Sequence, residues 1–179
     1  METIAIRDKN FQLSIESEEI QIAIAHMAQE MYIDLNGQDV IFVPVLNGAF
    51  IFAADLFRKI NFNFHISFVK FASYEGTGST GNVKQLIGLN EELAGKTVVL
   101  LEDIVDSGHT IDSLIGLVKK FKPALIKTAT LLFKPDAYKY DHQIDYIGFR
   151  IQNEFVVGYG LDYDGYGRNL DSIYACIDL

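Results

Sequence analysis

Cysteine is nearly absent from this chain: Cys176 stands alone among 179 residues. A single thiol excludes an internal disulfide framework and any structural zinc site built on cysteines. Proline is scarce too, at 3 residues, and glycine stands at 14. With 49% hydrophobic and 22% charged residues, this composition excludes collagen-like, low-complexity and disordered chains. Positive charge is in deficit, since 15 lysines and arginines face 24 acids, for a net charge of −9. The bulk field therefore repels nucleic acid and anionic membranes. A phosphate ligand must then be held locally by backbone amides, a few cations or a metal. No apolar run approaches the roughly 18 residues of a membrane span. The opening METIAIRDKN lacks the basic and apolar regions of a signal peptide. We therefore expect a cytoplasmic protein with no membrane and no nucleic-acid partner. The length predicts one domain over residues 1–179.

What is present reads as alternating strands and helices. Phe11, Leu13 and Ile15 alternate with polar residues as a strand does. Ser17 is the expected N-cap of a helix that buries Ile20, Ile24, Met27, Met31 and Leu35 and stops at Gly37. The run DVIFVPVL (39–46) has the continuous apolarity of a strand covered on both faces, and AFIFAADLFRKI (49–60) predicts the crossover helix. Phe62, Phe64, Ile66 and Phe68 alternate with polar residues and predict one strand over 61–71. NVKQLIGL (82–89) is the expected returning strand after a glycine-rich loop. TVVLLED (97–103) is a buried strand, IVDSGH a loop, and Thr110 opens a helix that ends before Pro123. ALIKTATLLF, IDYIGF, FVVGYG and SIYACI complete the strands, so the expected class is α/β with a mostly parallel central sheet flanked by helices.

Three patterns mislead. GTGSTG (76–81) matches a dinucleotide fingerprint, but a strand rather than a helix follows it. Gly95-Lys96-Thr97 resembles the end of a P-loop, and again a strand follows. His26, His65, His109 and His142 share no metal-ligand spacing.

The chemistry concentrates in VVLLEDIVDSGHT (98–110). Glu102 and Asp103 lie at the carboxyl end of a parallel strand, where α/β proteins bind ligands. Two adjacent carboxylates repel each other, and a fold alone gives little reason for them. Asp106, Ser107, Gly108, His109 and Thr110 then run into a helix, a nest of amides and hydroxyls suited to a phosphate monoester. One ligand needs both acids and an anion nest: a ribose 5-phosphate. The competing structural reading is a strand-turn-helix with solvated acids.

These residues resemble a family. EDIVDSGHT is similar to the phosphoribosyl pyrophosphate signature of the type I phosphoribosyltransferases. VPVLNGAFIFAADL looks like their pyrophosphate-loop segment, and FASYEGTGSTG resembles their mobile catalytic loop. ATLLFKP, DYIGF, EFVVGYGLDY and YGRNL resemble, in order, the base-recognition half of the hypoxanthine-guanine branch. The matching stretches run from about residue 39 to 177.

The resemblance implies a fold with a small base-recognition hood, made by the N- and C-terminal segments, and a lid at about 73–81 carrying Ser73 and Tyr74. It implies transfer of a phosphoribosyl group from phosphoribosyl pyrophosphate to a 6-oxopurine, assisted by Mg²⁺. The apolar surface a chain of this composition must cover suggests a homodimer or homotetramer. Glu102 and Asp103 would hold the ribose hydroxyls, partly through Mg²⁺, and Asp106 would be the proton acceptor facing nitrogen 7 of the purine. The loop from Asp106 to Thr110 would hold the 5′-phosphate. Lys134 would donate to the exocyclic oxygen, Phe155 would stack on the ring, and Val156 would read the base edge. Asp162, counted with the purine-binding residues, would also help hold a second Mg²⁺ near the pyrophosphate. Arg168, with Leu46, Asn47 and Gly48, would contact pyrophosphate. Asn47 stands where a lysine is common, Glu75 where glycine is common, and His109 at a variable position. The same residues also admit a phosphoribosyltransferase for another base, such as xanthine, and an RNA-binding regulator built on this fold. The latter needs a basic face.

Overall fold

The computed structural model describes residues 2–72, 84–87, 89 and 92–178. Its centre is a mixed sheet in the order β6-β5-β3-β7-β8-β9, with β4 also on β3. These strands are β3 (Val40–Leu46), β4 (His65–Ile66), β5 (Val69–Ala72), β6 (Lys84–Ile87), β7 (Thr97–Val105), β8 (Leu125–Phe133) and β9 (Tyr146–Arg150). All pair parallel except β6, which runs antiparallel to β5.

The apolar runs of β3 and β7 are divided between two faces, as a period of two requires. Val40, Phe42, Val99 and Leu101 pack with the helices α1 (Ser17–Leu35) and α2 (Phe50–Lys59). Ile41, Val43, Val98 and Leu100 pack with α3 (His109–Lys119). A sheet covered on both faces explains why these strands show no polar alternation.

A second, antiparallel sheet, in the order β1-β2-β11-β10, joins β1 (Thr3–Ile6) and β2 (Lys9–Ile15) to β10 (Val156–Val157) and β11 (Ile173–Cys176). Its own small core is Phe11, Val157, Tyr174 and Cys176. The N- and C-terminal parts of the chain are thus held together through β2 and β11.

Several local expectations change. Glu16, not Ser17, caps α1: Glu19 accepts the Glu16 N–H at 3.0 Å while the Glu16 carboxylate accepts from the Glu19 amide. This reciprocal box outcompetes a lone serine, whose N–H instead donates to the Ser172 hydroxyl at 3.1 Å. The expected strand over 61–71 is interrupted. Its pairing with β3 keeps one register on both sides of the gap, Phe42 with Ile66 and Val45 with Val69. The Phe42 carbonyl accepts from Ser67 across this edge at 2.9 Å, so Pro44, two residues on, faces the same way with no N–H to give. Phe62 and Phe64 lie outside the strands and fill the core beside Phe42. The strand β7 runs on through Ile104 and Val105, which the sequence placed in a loop, and FVVGYG retains only Val156–Val157 as strand. The lid residues 73–81, Ser73 and Tyr74 among them, lie outside the described residues.

Candidate active site

The sheet order places the site. From β3 the chain passes through α2 to one neighbour, β5, whereas from β7 it passes through α3 to the other side, to β8. The loops leaving β3 and β7 therefore diverge at their carboxyl ends and open a crevice between them. A cavity of about 390 Å³ lies there, lined by Leu46, Gly48, Glu102, Asp103 and the whole loop Asp106 to Thr110. The Leu46–Asn47 peptide in its wall is cis.

Glu102 is buried, and its Oε1 has no hydrogen-bond partner among the described residues. Burial, and then the neighbouring Asp103, pushes its carboxyl well above the usual glutamate range. Burial also pushes Asp103 up, from an ordinary 3.8 to about 6, against the Ile104 N–H that donates to it at 3.0 Å and the attraction of Arg168. A carboxyl pair in this condition can accept further hydrogen bonds and positive charge, the two things that ribose hydroxyls and a divalent cation bring.

The folded state keeps a proton on Asp103 that the unfolded chain has released, so stability is lost as pH rises from about 4 through about 6. Asp103→Asn removes that loss. At pH 8 the ligand-free variant should be more stable than the native protein by about 2 kcal/mol, after allowance for partial solvent screening. The difference should vanish near pH 4, and thermal melts across this range check it. Parallel curves would show Asp103 to be already ionised in the free protein.

The loop after β7 turns at Gly108, which caps α3 with φ +86° and brings no side chain of its own to the helix end. The first amides of α3 are thus presented to a ligand. A Cβ on Gly108 would overlap the Tyr138 ring, so the position excludes every other residue twice over, by φ and by space. Asp106 is half exposed at the loop's start, and the buried Lys134 at the end of β8 reaches it with Nζ 2.7 Å from Oδ2.

On the opposite wall, a Cβ on Gly48 would overlap the Asp103 carboxylate, and one on Gly160 would overlap the Gly48 carbonyl. This close approach seats the C-terminal turn against the loop after β3. Arg168 Nη1 donates to the Gly160 carbonyl at 2.6 Å, and its Nη2 lies 2.6 Å from Asp162 Oδ1. Asp162 accepts the Gly165 N–H at 2.7 Å, so it is held from two sides.

The structure thus gathers Leu46, Gly48, Glu102, Asp103 and the loop of Asp106, Ser107, Gly108, His109 and Thr110 around one cavity. Lys134 joins through Asp106, and Arg168 and Asp162 through Gly160. Phe155 and Val156 are not in the lining of this cavity; Val156 lies in β10 of the antiparallel sheet and Phe155 immediately before it. Phe155 packs on Phe11 and Tyr163, and Val156 pairs with Ala175.

Sequence reasoning missed a support for this wall. Tyr159, between Gly158 and Gly160, donates its hydroxyl to Asp55 of α2, and Gln21 of α1 donates to the same Asp55 oxygen at 2.8 Å. Burial raises the Asp55 pKa, but hydrogen bonds from Tyr159, Gln21 and Arg58 outweigh it and hold the group below the usual range. Nothing local marks this trio, whose members are up to 138 residues apart.

A mostly parallel sheet with an acid pair and a glycine-capped helix start at its switch point is the architecture of an α/β protein that handles sugar phosphates. Residues 13–164 match the phosphoribosyl transferase domain, and the chain belongs to this family, in its hypoxanthine-guanine branch. It is 35% identical over 175 residues to a hypoxanthine-guanine phosphoribosyltransferase of Aquifex aeolicus, covering 97% of this chain and 98% of that one. The crystal structure of a hypoxanthine-guanine phosphoribosyltransferase from Bacillus anthracis is similar with a TM-score of 0.86 at 38% identity, covering 96% of this chain and 99% of that one. The chain is also 39% identical over 160 residues to the bifunctional protein TilS/HprT of Listeria monocytogenes, covering 89% of this chain. It spans about a quarter of the length of that relative, 25%.

Proposed function

We propose that this chain transfers the phosphoribosyl group of phosphoribosyl pyrophosphate to hypoxanthine or guanine, a purine-salvage reaction that yields the nucleoside monophosphate and pyrophosphate. The observation that carries this reading is the Lys134–Asp106 pair at the edge of the acid-lined cavity. It sets a cationic donor beside a carboxylate acceptor, the complement of a carbonyl oxygen next to a ring N–H on a 6-oxopurine.

In this reading, purine nitrogen 9 forms a bond to the anomeric carbon as the bond from that carbon to pyrophosphate breaks. The proton on nitrogen 7 passes to Asp106. Glu102 and Asp103 face the ribose and favour its developing positive charge. The amides from Ser107 to Thr110 hold the 5′-phosphate, Phe155 and Val156 line the base, and Arg168, Leu46, Asn47 and Gly48 receive the pyrophosphate.

Mg²⁺ fits this donor set. Glu102 and Asp103 would hold one ion and Asp162 would help hold a second, and when bound Mg²⁺ neutralises the leaving pyrophosphate. Among the described residues no three His, Cys, Asp or Glu side chains converge as a ready-made cage, so a bound Mg²⁺ would need substrate oxygens and water to complete its shell. Among the described residues no helix is long and apolar enough to cross a membrane. A cytoplasmic location and a homodimer or homotetramer belong to the same reading; exposed Ile22, Ile33, Phe50 and Phe68 offer apolar surface for assembly.

Turnover of hypoxanthine, guanine, xanthine, adenine and uracil with phosphoribosyl pyrophosphate tests it. We expect hypoxanthine and guanine to react with Mg²⁺ and the reaction to stop in EDTA. Preference for adenine or uracil would overturn the substrate assignment, and full activity in chelator would overturn the metal's role.

A further inference from the structure

The segment after Lys134 folds back over the anion loop. The Lys139 N–H donates to the Ser107 carbonyl at 3.2 Å, and the Tyr138 ring presses on Gly108. The Tyr138 hydroxyl donates to the His142 carbonyl at 2.9 Å, which closes the segment into a strap. At its outer turn the Tyr140 hydroxyl lies 2.5 Å from Nδ1 of His109, with the two rings edge to face at 5.5 Å. The Tyr140 ring is itself parallel to His142, within 7°, and His142 Nε2 lies 2.8 Å from Asp112 in the first turn of α3. His109 would otherwise be an exposed side chain with free rotation, and here it is held in place.

His109 lines the cavity, and its Nε2 has no partner among the described residues. With the Tyr140 hydroxyl as donor to Nδ1, the ring N–H is on Nε2, which can donate toward an anion. The amides of the same loop already face that anion. We propose that Tyr140 is a positioning residue for the 5′-phosphate subsite, holding the His109 imidazole as one more donor to the phosphate. This rests on the reading of Asp106 to Thr110 as the 5′-phosphate loop. The strap follows directly from Lys134, so it joins the residue facing the base to the loop facing the phosphate while contacting only the latter through Tyr140.

Tyr140→Phe removes the hydroxyl and keeps the ring on His142, which preserves the packing. Titration calorimetry of the full chain with guanosine 5′-monophosphate and with guanosine separates phosphate contacts from everything else. We expect the variant to bind the nucleotide about three- to tenfold more weakly, the net worth of one ordinary hydrogen bond, and to bind guanosine unchanged. The KM for phosphoribosyl pyrophosphate should rise while that for hypoxanthine stays. His109→Ala should cause a similar loss, and the double variant should lose no more than His109→Ala alone, since Tyr140 acts through His109. Native-like nucleotide binding by Tyr140→Phe, or equal weakening of nucleotide and nucleoside, would overturn the proposal. If the native protein itself bound the nucleotide no more tightly than guanosine, the phosphate-loop reading would fall, and the proposal with it.

Discussion

Adenine should react about 10⁴-fold less efficiently than hypoxanthine, and Lys134 should be the cause. Its ammonium has three donors and no acceptor. The side chain is only 8% exposed, and its position is fixed by Asp106 at 2.7 Å. A 6-oxopurine brings a carbonyl oxygen that accepts from this cation while leaving the Asp106 contact available. Adenine brings an amino group, which meets the ammonium donor to donor, and a buried charge then loses solvent without gaining a partner. Lys134→Gln offers both a donor and an acceptor, so it should slow the oxopurine reaction and narrow the gap between the two bases. The comparison of kcat/KM for hypoxanthine and adenine in both proteins decides the point. Unchanged oxopurine preference in Lys134→Gln would remove Lys134 from base selection.

Asp106→Asn should lower kcat by about 10²–10⁴-fold, the usual worth of a positioned general base. The amide keeps the size of the carboxylate and its carbonyl oxygen can still accept from Lys134, so the KM for phosphoribosyl pyrophosphate should change little. The structure adds a second consequence. Asp106 is the counterion of a buried lysine, so the variant should also be less stable, by about 1–3 kcal/mol. Rate and melting temperature measured together separate the two effects, because lost stability lowers the amount of folded enzyme and not the kcat of what remains. A loss in kcat below threefold would mean that Asp106 does not accept the proton in the rate-limiting step.

The parts of this protein legible in its sequence are those fixed by neighbours in the chain. The helix α1 shows its buried face as Ile20, Ile24, Met27, Met31 and Leu35, all within one period. The strands β3 and β7 show double burial as unbroken apolar runs. Glu102 through Thr110 forms a strand end, a loop and a helix start within nine residues, so its acids and its amide nest could be read together before any fold was known. Where local reading erred, a competing contact from elsewhere was responsible. Pro44 on β3 interrupts a strand more than twenty residues away, and the Glu16–Glu19 box displaced Ser17.

The sequence by itself determined the class of fold, the two-faced burial of the central strands and the acid-and-anion loop, because periodicity and capping act over a few residues. Only the tertiary structure decided which distant groups share the cavity wall. It set Lys134 against Asp106 and packed Tyr138 on Gly108. It gave His109 to Tyr140 and bolted the turn at Gly160 to Gly48 through the Tyr159, Asp55 and Gln21 trio. Those pairings depend on the order of strands in the sheet. That order is set by burial summed over the whole chain, and no window of sequence contains it.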